Sequence, residues 1–302
     1  MNILILGLGS IALKHIDAIK NLNIDYNLFA LRSKPNSNKI EDVVNIYDLQ
    51  NIMVDIDFAI ISNPTSEHAK SIKSLINLEV PLFIEKPVFD TIDHEGIIDE
   101  INTKKIRTYI GCNLRFLECL NFIKGLIENK RINEVNVYCG SYLPEWRPNI
   151  DFRKNYSANK ELGGGVHIDL IHEIDYIYWL FSQPTTVSRF FSNKSSLNIS
   201  AYDYANYLLR YDNFTVNVQL NYYRRDPKRT LEIVCEEGTY FIDLLKNCVF
   251  LNGNVIFESK NKIGETLVHQ MNFFINEVVH NKKNDFNNIN EAFKILKICL
   301  ED

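Results

Sequence analysis

Chemistry in this chain could begin at a glycine turn. Gly7-x-Gly9-x-x-Ala12 follows the apolar run Ile3-Leu4-Ile5-Leu6 and opens a segment of helical periodicity. In that context the turn is a fingerprint for dinucleotide binding. Gly7 permits the tight turn, Gly9 lets the backbone approach a pyrophosphate, and Ala12 allows close helix–strand packing. The anion would rest on the free N–H groups of the helix N-terminus, with Ser10 and Ile11 among the candidate contacts. The other reading is a tight strand–helix turn that holds no ligand.

The end of the second strand should report the choice of cofactor. An Asp or Glu there would hold the ribose 2′-hydroxyl of NAD. The segment Leu31-Arg32-Ser33-Lys34 has no acid, and its two cations flank a hydroxyl. That arrangement suits a 2′-phosphate. NADP is therefore favoured, with NAD as the second choice; a solvated basic turn is the plainer alternative.

A second candidate is Ile84-Glu85-Lys86-Pro87, which closes a buried strand starting near Pro81. Charged residues at the carboxyl end of a parallel strand lie where doubly wound sheets bind ligands. Pro87 removes a donor and holds Lys86 extended, so its ammonium could be aimed into a cleft. An exposed Glu–Lys surface pair would read the same way.

Further on, Gly163-Gly164-Gly165 would let backbone come close to something, and His167, Asp169, His172 and Asp175 follow on a helix expected over residues 166–181. No metal site is expected: two histidines five apart do not share a helix face, and no Cys joins them. Asp175, one turn beyond His172, could orient it. Glu173 and Tyr176 read as surface or packing residues. The loop Ser141 to Pro148 and the segment to Tyr156 carry Tyr142, Trp146, Arg147 and Tyr156. Flat apolar faces with charged hydrogen bonds are what sugar or sugar-phosphate recognition uses; a loop tied down by Pro and Trp is the alternative. Arg224, Arg225 and Arg229 form a local basic cluster that reads as a solvated hairpin end, with contact to an anionic substrate as the alternative.

These residues need elements to hold them. Ile11, His15, Ile16, Ile19 and Leu22 recur at helical spacing, and Tyr26–Leu31, Phe58–Ile61 and Pro81–Ile84 read as strands, with a helix over 69–78 between the last two. Strands alternating with helices predict a parallel sheet with crossover connections. After about residue 115 the period becomes two. Val135, Val137 and Cys139 alternate with polar residues, as do Phe214, Val216, Val218 and Leu220. Asp212-Asn213 and Glu237-Gly238 read as hairpin turns. Leu267, Met271, Phe274 and Val278 keep helical spacing, and Asn288 and Glu291 stand at capping-box spacing before a final helix. The fold class is α/β: an N-terminal Rossmann-type parallel sheet over 1–115, then over 116–302 an α/β domain with an open, mainly antiparallel sheet. The last helix is free to return to the first domain.

Composition agrees. The chain has 302 residues, 46% hydrophobic and 24% charged, which is ordinary for a globular protein and argues against a disordered or collagenous one. Net charge is −5 with no long basic block, so nucleic-acid binding is not expected. No apolar run reaches the ~20 residues that span a bilayer. Cys112, Cys119, Cys139, Cys235, Cys248 and Cys299 are scattered, without a CxxC pair. With an opening that lacks signal-peptide features, they read as reduced thiols of a cytoplasmic protein.

Four segments, GLGSIA (7–12), ISNPTSEH (61–68), IEKP (84–87) and GGGVHIDLIHEID (163–175), stand in the order and spacing of the glucose–fructose oxidoreductase/inositol dehydrogenase (Gfo/Idh/MocA) family, which the chain resembles over essentially its whole length. The resemblance implies a Rossmann domain followed by an open α/β domain. It implies that Lys86 contacts substrate and nicotinamide, and that Ser62, Asn63, Thr65, His68 and Glu85 lie along the cofactor. By the same token Asn113 and Arg115 stand near the nicotinamide end, and Asp169 and His172 help form the substrate site. Many members space that Asp and His four apart; here they are three apart. The resemblance also implies a homodimer or homotetramer formed through the open sheet. The expected activity is NAD(P)-dependent hydride transfer between nicotinamide and a secondary alcohol or ketone of a sugar-type substrate, with Lys86, His172 and Asp169 as the catalytic set. The Trp146-Arg147 loop leans the substrate toward an activated or anionic sugar. The rival is a non-catalytic NAD(P)-binding sensor of the same fold.

Overall fold

The structure, a computed structural model, describes residues 1–33, 40–147 and 150–300. Lys34, a candidate cofactor contact, lies outside the described residues. The opening apolar run forms β1 (Asn2–Leu6), whose last four residues are buried. Helix α1 (Ser10–Lys20) packs Ala12, His15, Ile16, Ala18 and Ile19 inward. Then come β2 (Asn27–Leu31), β3 (Val43–Ile46), β4 (Phe58–Ile61), α2 (His68–Leu75), β5 (Leu82–Ile84), α3 (Glu95–Thr103) and β6 (Thr108–Ile110). Strands β4, β5 and β6 are buried at every residue, as strands covered on both faces must be. The six strands pair in parallel in the order β3-β2-β1-β4-β5-β6. This is the dinucleotide-binding order, with its switch point between β1 and β4.

The next stretch builds a second sheet. Helix α4 (Glu118–Ile127) leads into β7 (Ile132–Tyr142), and α5 (Val166–Asp169) and α6 (His172–Phe181) precede the strands β8 (Thr186–Ser192), β9 (Tyr204–Arg210) and β10 (Thr215–Asn221). The series ends with β11 (Tyr223–Cys235), β12 (Gly238–Asp243), β13 (Cys248–Leu251) and β14 (Asn254–Glu258). The eight strands run in the order β14-β13-β12-β11-β7-β10-β9-β8. All neighbours are antiparallel except β7 and β10. Val216, Val218 and Leu220 are buried while Thr215, Asn217 and Gln219 face outward, which is the alternation read from the sequence.

Helix α7 (Thr266–Phe273), a wide π-type turn (Phe274–His280) and α8 (Ile289–Leu300) complete the chain. The chain divides into two units, Met1–Cys112 with Leu267–Leu296, and Asn113–Thr266 with the residues from Lys297 on. More of the chain returns to the first unit than the final helix alone. Phe274 packs edge-on to Phe58 and Phe83 at 5.2 and 5.3 Å. Asn287 extends the edge strand β6, its carbonyl accepting the Ile110 N–H at 2.9 Å and its amide donating to the Ile110 carbonyl at 2.7 Å. The Asn288 side chain caps α8 by accepting the Glu291 N–H at 3.0 Å, but the Glu291 carboxylate reaches one residue further back, to the Asn287 N–H at 2.7 Å.

The helix expected over 166–181 is broken. Leu170 leaves helical geometry (φ −98°, ψ 30°), and the Ile171 N–H bonds three residues back, to Ile168. Asp169 therefore ends one helix and His172 starts the next. Helix α6 turns its acids inward. Asp175 forms a bidentate pair with Arg115, at 3.0 Å to Nε and 2.7 Å to Nη2, and both side chains are fully buried. Glu173, also fully buried, holds Arg229 at 3.2 and 2.5 Å. Three readings are thereby corrected: Glu173 is not at the surface, Arg229 is not a solvated hairpin end, and Asp175 is engaged by Arg115 rather than placed to orient His172.

All six cysteines are buried, and none forms a disulfide. Among the described residues no helix is long and apolar enough to cross a membrane. Because a buried charge stripped of its partner is expensive, Arg115→Met should cost roughly 3–5 kcal/mol in urea unfolding, whereas Arg115→Met with Asp175→Leu should recover most of that loss. Equal losses in the single and double variants would contradict the role given to this pair.

Candidate active site

The crevice begins where β1 and β4 part. Gly7 has φ +88°, and a Cβ on it would stand 2.5 Å from both N and Cα of Asn63. The Ser62 hydroxyl donates to the Gly7 carbonyl at 2.9 Å and the Ser62 N–H to the Leu6 carbonyl at 2.8 Å, clasping the two strand ends. Gly9 is the N-cap of α1 and offers no side-chain cap to it. A Cβ there would meet nothing within 4 Å. The helix N-terminus thus keeps donors free for an anion and space for it to approach.

A cleft of about 600 Å³ opens from this turn, lined among others by Gly7, Arg32, Ser33, Tyr47, Asn63 and Lys70. Arg32 Nη1 and Asn63 Oδ1 are buried with no hydrogen-bond partner in the described protein. Buried polar atoms are rarely left so, and a ligand carrying an acceptor for the one and a donor for the other would satisfy both. The residues present therefore fit a dinucleotide. Thr65 is not part of the lining, although Pro64 and Glu67 beside it are. His68 does not line the cleft either. It is buried and staples two loops, with Nδ1 3.0 Å from the Pro87 carbonyl and Nε2 3.1 Å from that of Asn63. Sequence reasoning missed Tyr47, Lys70 and Ser74. The signal for Tyr47 was its place just beyond the carboxyl end of β3, and Lys70 and Ser74 stand one turn apart on α2.

At the end of β5 the Glu85 carboxylate is turned inward. Its Oε1 meets His15 Nε2 at 2.6 Å, and Oε2 accepts the Lys86 N–H at 3.2 Å. Burial pushes this carboxyl up, but the hydrogen bond and charge of His15, with Lys86, outweigh it and hold it below the usual range. Glu85 is thus a support for the turn rather than a residue of the cleft lining. Lys86 is half-buried, and its peptide bond to Pro87 is cis.

In the second unit Asp169 is the hub. Tyr156 and Tyr222 each donate a hydroxyl to one of its carboxylate oxygens, the latter at 2.5 Å. Burial, with the Asp169 charge, pushes both phenols far above their ordinary pKa, so both stay protonated. Tyr222 was missed from sequence because it sits at a bend between two strands, where no periodicity singles it out. Trp146 stands edge-on to Tyr222 at 5.2 Å and donates to the Ser141 hydroxyl at 2.9 Å. Arg225 lies over the Tyr142 ring at 4.2 Å and donates to its hydroxyl at 2.9 Å. Arg147 is exposed, and His172 is half-buried at the start of α6.

The close approach implied by the three glycines is internal. A Cβ on Gly164 would stand 1.8 Å from the Tyr156 carbonyl oxygen, and one on Gly165 (φ +147°) would strike the His167 ring. His167 itself is packed against Phe191 and Tyr202, and burial pushes its pKa down to about 4 despite the Asp169 charge. Two candidate contacts are structural. The Arg115 guanidinium is consumed by Asp175 inside the second unit, and the Asn113 amide donates to the Thr266 hydroxyl at 2.6 Å. Among the described residues, no group of His, Cys, Asp and Glu is placed to hold a metal ion.

Comparison with known proteins places this architecture. Residues 1–109 match the model of the oxidoreductase family with an NAD-binding Rossmann fold, and residues 121–241 match the GFO/IDH/MocA C-terminal domain. The chain belongs to the Gfo/Idh/MocA family. Family relatives include the uncharacterized oxidoreductase YrbE of Bacillus subtilis (strain 168), 25% identical over 185 residues, covering 59% of this chain and 52% of YrbE. Inositol 2-dehydrogenase of Rhizobium meliloti (strain 1021) is 25% identical over 194 residues, covering 61% of this chain and 56% of the relative. The chain thus spans about half the length of the curated relatives it matches. Among solved structures, the WlbA dehydrogenase of Bordetella pertussis, in complex with NADH and UDP-GlcNAcA, aligns with a TM-score of 0.78 at 15% identity, over 99% of this chain and 93% of that one. That likeness is one of fold.

Two of the buried histidines, His68 and His167, make stability pH-dependent. Both His68 and His167 have folded pKa values below the ordinary 6.5, for each chiefly through burial. Their contribution is complete above pH 6.5 and is lost as pH falls through the folded values. For His167, a drop from 6.5 to about 4 corresponds to about 3 kcal/mol. The urea midpoint should fall between pH 7 and pH 4.5, and His167→Phe should fall less steeply; parallel curves would exclude His167 as a source.

Proposed function

We propose that the chain is an NAD(P)-dependent oxidoreductase that transfers hydride between nicotinamide and a secondary alcohol or ketone of a sugar-type substrate. The observation that carries this reading is the uncapped glycine turn opening on a cleft that holds an unpartnered arginine nitrogen. The family's Rossmann description and the NADH bound in the WlbA structure support it. NADP is the favoured cofactor, because Arg32 and Ser33 line the cleft where an acid would select NAD.

Gly7, Gly9, Ser10, Ile11 and Ala12 would receive the pyrophosphate at the start of α1, while Arg32, Ser33 and Lys70 would face the far ribose. Bound nicotinamide would supply the hydride acceptor or donor. The protein has to manage the hydroxyl proton and the charge developing on oxygen. Lys86 is assigned the electrostatic partner of that oxygen, and the half-buried His172 the proton acceptor, since an imidazole titrates near neutrality. Both Asp169 oxygens already accept tyrosine hydroxyls, so its part in the catalytic set is to hold Tyr156 and Tyr222. Tyr142, Trp146, Arg147 and Arg225 offer aromatic faces and cations to an activated or anionic sugar. The outer face of β8 to β10, with Phe190 and Leu208 exposed at 63% and 48%, is the surface assigned to self-association.

Titration with NADPH and NADH, followed by reduced-nicotinamide fluorescence, tests the cofactor assignment. NADPH should bind more tightly, and Arg32→Ala should weaken NADPH about tenfold more than NADH. Binding of neither cofactor would overturn the reading; an NADH preference would remove only the phosphate clamp. Against a panel of free and UDP-linked sugars, Lys86→Met should lower kcat by roughly 10²–10⁴ with cofactor binding retained. A full-rate Lys86→Met variant would remove the lysine from the mechanism.

A further inference from the structure

His15 is a polar residue on the buried face of α1, where helical periodicity calls for an apolar one. It is 0% exposed. Its Nδ1 is buried with no hydrogen-bond partner, and its ring stands edge-on to Phe83 at 4.8 Å. A leucine or phenylalanine would fill the same space without stranding a nitrogen. Among the described residues the ring makes its polar contact through Nε2, 2.6 Å from Glu85 Oε1. The other Glu85 oxygen accepts the backbone N–H of Lys86 at 3.2 Å. Room for the carboxylate exists because residue 111 is glycine; a Cβ there would stand 2.9 Å from Oε1. The helix that opens on the dinucleotide turn is thus hydrogen-bonded, through one carboxylate, to the backbone of the candidate catalytic lysine.

We infer that His15 is a positioning residue: acting through Glu85, it fixes the backbone and the electrostatic surroundings of Lys86 relative to the helix that receives the cofactor. This rests on the role proposed for Lys86, though the coupling itself does not. The Glu85 carboxylate stays ionised in a buried place because His15 supports it. Without His15, burial favours the protonated acid, and Lys86 loses the adjacent negative charge and the charge assistance of its backbone hydrogen bond. The cost of keeping a half-satisfied imidazole in an apolar layer is then explained by what it does for residue 86 rather than by packing.

The test needs no substrate. Trace acylation of the full-length protein with isotopically labelled acetic anhydride across a pH series, read by mass spectrometry, gives the reactivity and titration of Lys86 alone. His15→Phe should change the Lys86 acylation rate at fixed pH by about fivefold, the worth of one hydrogen bond, and move its titration midpoint. His15→Gln, which can still donate to Glu85, should restore most of the wild-type profile, and Glu85→Gln should reproduce the His15→Phe profile. Thermal melting establishes which variants are folded before their profiles are compared. A folded His15→Phe protein with a Lys86 profile superimposed on wild type overturns the proposal. If His15→Phe fails to fold, the same comparison with Glu85→Gln decides it. NADPH and NADH titrations of the same proteins keep the two readings apart: a wild type that binds neither defeats the oxidoreductase assignment, while the acylation profiles still decide the coupling.

Discussion

Between the ends of β1 and β4 there is no room for a side chain. A Cβ at residue 7 would lie 2.5 Å from the backbone of Asn63, so the strand ends meet through a glycine held at positive φ. Much of the first unit depends on that contact. It lets Ser62 clasp the two strand ends, and it sets the chain to turn at once into α1. The next glycine, by contrast, faces open space. The first glycine is excluded from bearing a side chain by protein, the second by whatever approaches the helix end. A turn of this kind with no ligand would constrain only the first.

The second unit is organised by the need to satisfy buried charge. Helix α6 is buried all round over 173–177, so its acids at 173 and 175, on different faces, are both enclosed, and each is met by an arginine from another element. Such pairs are weak as sources of stability but strict about geometry, because a misplaced partner leaves a charge uncompensated. The break at Leu170 separates Asp169 from that helix. It leaves Asp169 to two tyrosines, one from the loop pressed against Gly164 and one from the bend after β10. The glycine run, the helix break and the tyrosine pair are therefore one construction. Removing the space at Gly164 would displace Tyr156, and with it one of the two donors on Asp169.

How much was legible depended on whether a signal was local. The glycine turn, β1, β4, β5 and the alternation of β10 declare themselves through neighbours in sequence, and the structure has them. Arg115, Glu173 and His68 were misjudged because an isolated polar residue says nothing about its burial. Each is inside only because a partner far along the chain, Asp175, Arg229 or the Pro87 carbonyl, meets it there. The missing residue between Asp169 and His172 was visible as a departure from the family pattern. That it would break the helix was not, since Leu170 and Ile171 are both compatible with helix. Tyr222 and His15 were hidden for opposite reasons: one lies where no period runs, the other on a helical face where it was counted with the apolar residues.

Hydrogen-bond inventory narrows the chemistry open to the buried carboxylates of each unit. A carboxylate that accepts two phenolic protons is held as an acceptor, and its tyrosines, pushed far above their ordinary pKa, do not release protons near neutrality. Taking a proton from a substrate would require Asp169 to give up one of these donors while buried. In the mechanism we propose, the half-buried His172 at the start of α6 takes that proton, and Lys86 beside Glu85 serves as the positive charge. The acid that the sequence pattern brings forward as a base is thus better suited to holding aromatic hydroxyls in place. The acid at 85 in turn supports a cation one residue away. In each unit a buried carboxylate thus organises its own neighbours, two phenols around Asp169 and the backbone N–H of Lys86 beside Glu85.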